Sequence, residues 1–134
     1  MFKGKYFWLL KIRAHGYYQI NNLVVLIKQD RFIISKMFIN IIQAYRDLVA
    51  VCDKELLGKR FEEGNFQLDV KENFYKGNET GRLKVIEIMK KMSGEDATFN
   101  IVGEESVSAA LEAGIISKAE IGKIHGIPFA LILL

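Results

Sequence analysis

The sequence predicts an α/β fold of the mixed α+β kind, with one mixed sheet and helices packed on it. Three observations predict it. Short apolar, β-branched runs alternate with stretches whose apolar residues recur at helical spacing. The last six residues, 129–134, are apolar without a break. Half of the 134-residue chain is hydrophobic and only one residue is proline, which suits a packed core. The expected order is ββαβαβααβ within a single compact domain, residues 37–134.

Residues 38–43 and 48–52 are apolar and β-branched, and the few residues between them end in Arg46 and Asp47, the spacing of a hairpin. Asp53 stands where an N-cap belongs, and Lys54, Glu55, Leu56 and Leu57 read as a short helical turn ended near Gly58. Phe66, Leu68 and Val70 alternate with Gln67 and Asp69, as in a half-buried strand. From Arg82 to Met92 the period changes. Leu83, Val85, Ile86, Ile88, Met89 and Met92 form a broad apolar stripe, closed by Ser93 and Gly94.

Residues 99–102 make a further strand. Gly103 opens a helix with Val107, Ala110 and Leu111 on one face and Gly114 at its end. Ser117 and Glu120 have the spacing of a capping box, which predicts another short helix ending near Ile124. Gly126 and Pro128 punctuate the chain before residues 129–134. Their lack of alternation predicts a strand covered on both faces, central in the sheet, with helices packed around it.

Charge divides the chain. Residues 1–36 hold seven Lys and Arg against one acid, whereas residues 37–134 hold twelve against fifteen, so a basic head precedes an acidic body. Ile, Lys, Asn, Tyr and Phe fill 18 of the first 36 positions but 34 of the other 98, a bias that AT-rich codons would produce. We therefore read residues 1–36 as an N-terminal extension that is a translated leader upstream of a start at Met37. Mass spectrometry of the native amino terminus tests this, and a peptide beginning before Met37 defeats it. Lys3 and Lys5 do precede an apolar stretch, but it ends at Lys11, too short for a signal peptide, and nothing approaches the roughly 20 residues of a membrane span.

The body offers few chemistries. Cys52, the single cysteine, cannot form an internal disulfide, which favours a reducing, cytoplasmic setting. At a strand-to-helix junction Cys52 is the candidate nucleophile, since a helix N-terminus raises a thiol's thiolate fraction, and His125 is the body's one histidine. The competing reading is a buried apolar residue, with Asp53 opposing the thiolate, and that reading is preferred. One His and one Cys cannot build a transition-metal site, and the adjacent acids Glu62 with Glu63 and Glu104 with Glu105 read as solvated surface, so no metal is expected. Neither glycine-rich phosphate motif occurs, and no cofactor is expected. Lys59, Arg60, Lys90, Lys91, Phe74 and Tyr75 are types that contact RNA, although the body's net charge is negative.

The stretches CDKELLGKRFEEG (52–64), FQLDVKENFYKG (66–77), NIVGEESV (100–107) and HGIPFA (125–130) resemble, in that order, an archaeal family of domains of unknown function numbered 424. The resemblance spans nearly all of residues 37–134. It implies an archaeal, cytoplasmic protein of compact α/β fold whose chain begins near Met37, and it implies no catalytic residues. The family often has a polar residue or histidine after the proline, where this chain has Phe129. Among the motif positions, Asp53, Lys59, Asp69 and Tyr75 are the hardest to explain by folding alone and form the expected binding patch. The expected function is a small non-enzymatic binding module associated with RNA or the ribosome, without a membrane. The alternative is a small enzyme using Cys52 with a neighbouring carboxylate, Asp53 or Asp69. A homo-oligomer fits the sequence as well as a monomer does.

Overall fold

The computed structural model describes residues 36–133, so the reading of the first 36 residues as a leader lies, Lys36 apart, outside the described residues. The first two predicted strands form β1 (Lys36–Ile42) and β2 (Leu48–Asp53), antiparallel from Met37 opposite Asp53 to Ile42 opposite Leu48. After them come β3 (Arg60–Glu63), β4 (Phe66–Asp69), α1 (Glu72–Tyr75), β5 (Asn78–Gly81) and α2 (Arg82–Gly94). The chain continues through β6 (Thr98–Val102), α3 (Glu104–Ala113), β7 (Gly122–Ile124) and β8 (Ile127–Ile132), with single 3-10 turns at Lys54–Leu56 and Lys118–Glu120.

Six strands pair in the order β5, β1, β2, β6, β8, β7, and β3 and β4 form a separate two-stranded ribbon. Only the β2–β6 pair is parallel; the other neighbours are antiparallel, which makes the sheet mixed. The period of two in each strand sorts side chains between two cores. Val49, Val51, Phe99 and Ile101 join Val85, Met89 and Val107 of α2 and α3 on one face. Ala50, Cys52 and Val102 meet Leu56, Val70 and Tyr75 on the other, with Phe61, Leu68 and Phe129 packed beside them. Burying a residue such as Phe99, Met37 or Met89 contributes roughly 1.5–3 kcal/mol each.

The expected helix over 82–92 exists as α2, and Val85, Ile86, Met89 and Met92 are its buried stripe; Leu83, predicted to share that stripe, is 65% exposed. The capping box at Ser117 is real, since the Glu120 carboxylate accepts the Ser117 N–H at 2.7 Å, yet the helix it opens lasts one turn. The backbone of Gly122–Ile124 turns instead to pair with β8. The C-terminal strand is interior, bonded to β6 and β7 on its two sides, but the middle of the sheet belongs to β2 and β6. It stands one place from the edge, and Leu131 and Leu133 near its end are 54% and 76% exposed, so the unbroken apolar run did not signal a central position.

Candidate functional site

Cys52 lies opposite Val102 at the carboxyl ends of the two parallel strands. In open sheets, crevices form beyond the carboxyl ends of parallel strands, because the chain there leaves the sheet for a helix and the loops splay apart. Asp53 is the last residue of β2, and Gly103 directly follows β6. Gly103 has φ +111°, in the region that favours glycine, and stands at the N-cap of α3 without a side chain to cap it. Asp53 supplies the missing cap from across the sheet. Its carboxylate accepts the Glu105 N–H at 3.1 Å, the Ser106 N–H at 2.8 Å and the Ser106 hydroxyl at 2.7 Å. A Cβ on residue 103 would collide with that carboxylate, so the two residues require each other. The Gly103 N–H donates to the Pro128 carbonyl at 2.8 Å, which ties the same corner to β8.

A cleft of about 150 Å³ opens at this corner. Leu56, Ile127 and Pro128 give it apolar wall, and Asp53, Glu55, Glu104 and Glu105 give it four carboxylates. No lysine or arginine lines it, and among the described residues none pairs with Glu55, Glu104 or Glu105. Burial pushes the Asp53 carboxyl above the usual aspartate range; the hydrogen bonds from Ser106 and Glu105 oppose this, and Glu55 adds to it. The arrangement repels phosphate and favours a cationic group whose stem can lie along the apolar wall.

The residues expected to form a surface patch are divided. Asp53 is 4% exposed and committed to the α3 cap. Tyr75 is 5% exposed in the core on the opposite face of the sheet, edge-on to Phe74 at 5.0 Å, and burial with the nearby Cys52 and Asp69 pushes its hydroxyl up to about 12. Asp69 is half-buried and near it, while Lys59 is exposed at the foot of the β3–β4 ribbon. The four therefore do not make one exposed patch, because two of them are spent on the fold. Burial, then Asp53 and Glu55, push the Cys52 thiol up to about 12, opposite to what a nucleophile needs.

The structure assembles instead residues that sequence reading set aside. Glu104 and Glu105 read as solvated surface, Glu55 and Leu56 as part of a short helical turn, and Ile127 had no reading of its own. Their common signal was proximity to Asp53, Gly103 and Pro128. Three of the four family-like stretches, 52–64, 100–107 and 125–130, converge on the cleft. Among the described residues no group of three or more His, Cys, Asp or Glu is arranged to hold a metal ion, and no helix is long and apolar enough to cross a membrane.

Residues 42–134 match the family described as "Protein of unknown function (DUF424)". Among solved structures, the crystal structure of an uncharacterized conserved protein from Methanopyrus kandleri is similar, at 24% identity and a TM-score of 0.66 over 73% of this chain and 90% of that one. At that identity the likeness is one of fold. No curated protein matches the chain.

Proposed function

For this chain, which belongs to the DUF424 family, we propose a non-enzymatic binding module associated with the translation machinery, whose acidic cleft receives a basic segment of a partner protein. The observation that supports it most is the convergence of separate family-like stretches on one small cleft lined by carboxylates and free of cations. A lysine or arginine side chain matches this chemistry, with its methylenes on Ile127 and Pro128 and its charge among the acids. The alternative, catalysis by Cys52, is opposed by the thiol's burial and by its acidic neighbours. Lys59, Arg60 and the exposed Phe66 could meet RNA at the ribbon, but a body of net negative charge gives that contact little general electrostatic help.

Ribosomal particles present basic protein tails and RNA together, so they separate the two partners. The protein should co-sediment with them in low salt, be released in high salt, and still bind their extracted basic proteins after nuclease digestion. Comigration that nuclease abolishes would assign the contact to RNA, and no comigration at all would reject the proposal.

A further inference from the structure

The β3–β4 ribbon pairs with no strand of the main sheet. At its foot the ladder between its two stems continues, the Gly58 N–H donating to the Val70 carbonyl at 2.7 Å and the Val70 N–H to the Lys59 carbonyl at 2.9 Å. In the register Phe61 faces Leu68 and Glu63 faces Phe66, so all four share the side turned toward the sheet. Phe61 and Leu68 pack on the core, but Phe66, one step farther out, is 70% exposed. Apolar packing therefore ends before the tip.

Among the described residues, one side-chain hydrogen bond ties the outer half to the sheet. Glu63 Oε1 accepts the backbone N–H of His125 at 2.6 Å, and the His125 ring stacks near Phe61 with centroids 6.2 Å apart. The ribbon's other side-chain bonds among the described residues are internal, from Arg60 Nη2 to Gln67 Oε1 at 2.7 Å and to Glu62 at 3.3 Å. These keep the two strands together whether or not the ribbon touches the sheet. Gly58, at φ +84°, stands at the foot, where a residue without a Cβ can absorb a change of φ and ψ.

We propose that the β3–β4 ribbon is a strap, hinged at Gly58 and latched by Glu63 on the His125 turn, that opens as a unit while the six-stranded sheet stays folded. Opening bares the half-buried Ile127 and Phe129 beside the cleft and needs no break in the main sheet. This rests on ribbon geometry and stands independently of the partner proposed for the cleft.

Hydrogen exchange of the whole chain, read by mass spectrometry, tests it. Ribbon amides of residues 61–68 should exchange well before those of β2 and β6. Glu63→Ala should speed them roughly tenfold by removing a charge-assisted bond, and Glu63→Gln, which keeps an acceptor, should speed them less. In both variants β2 and β6 should keep their wild-type protection. Ribbon amides that exchange in step with β2 and β6, or that ignore Glu63→Ala, would overturn the strap. A Glu63→Ala effect spread equally over the sheet would do the same.

Discussion

The two ends of the central parallel pair, β2 and β6, carry hollows built in opposite ways. At the amino ends a cavity of about 280 Å³ lies among Tyr45, Arg46, Asp47, Glu95 and Asp96. Its walls are exposed hairpin and loop, with Tyr45 fully exposed and Arg46 reaching Asp96 by a single 3.3 Å bond to its carbonyl. At the carboxyl ends the cleft is about 150 Å³, yet a buried carboxylate, a required glycine and a carbonyl of β8 shape it. Size is a poor guide to a site. A hollow whose shape is enforced by buried polar groups can hold a ligand's charge in place, whereas one framed by exposed side chains must order them first.

If that contrast is right, substitutions at the carboxyl end should cost far more than at the amino end. The largest loss is expected for Gly103→Ala, which adds backbone strain and evicts Asp53 from its cap, roughly 3 kcal/mol or more in denaturant unfolding. A loss under about 1 kcal/mol would show that the corner yields and would weaken the contrast. Asp53→Ala keeps the backbone but strands the Ser106 hydroxyl and two helix N–H groups, for about 2 kcal/mol.

Cys52, one residue before Asp53, sharpens the same end through pH. Its native pKa is raised from 9.0 to about 12, so the neutral thiol's contribution is complete below pH 9. Above pH 9 it is lost as pH climbs toward 12, at up to about 1.4 kcal/mol per pH unit, and a Cys52→Ala variant should lack that slope. Iodoacetamide at pH 8 should accordingly leave Cys52 unmodified until the protein is denatured, and rapid native labelling would revive the enzyme reading. The smallest effect is expected at the amino end. Arg46→Ala removes one exposed 3.3 Å bond and should change stability by less than about 0.5 kcal/mol.

The same contrast explains what could be read from the sequence. The elements around the two cores were legible because each buries a face, and burial writes a period into the residues: Val49 and Val51 in β2, Val85 to Met92 in α2. The missed strands are edge or ribbon strands. Residues 60–63, Arg-Phe-Glu-Glu, and 78–81, Asn-Glu-Thr-Gly, have one neighbour each and water beyond, so no apolar alternation was required of them. Residues 129–134 misled in the other direction, because an apolar run does not say how many strands lie outside it. At the site, Asp53 does hold the N-cap position before the turn at Lys54–Leu56, as its place in the sequence predicts, but its side chain caps a helix that begins 51 positions later, at Glu104. Pairings across such separations leave no spacing signal in a single sequence.

A cleft that selects a basic partner by its own carboxylates, and not by the domain's general negative charge, should respond to charge only where the cleft lies. Matched charge reversals test it most directly, with Glu104→Lys at the cleft and Glu95→Lys at the other end, each titrated with an oligolysine peptide by calorimetry at fixed salt. Glu104→Lys should weaken binding about fivefold or more, while Glu95→Lys should stay within about twofold of wild type. Equal weakening by both variants, or none by Glu104→Lys, would contradict it.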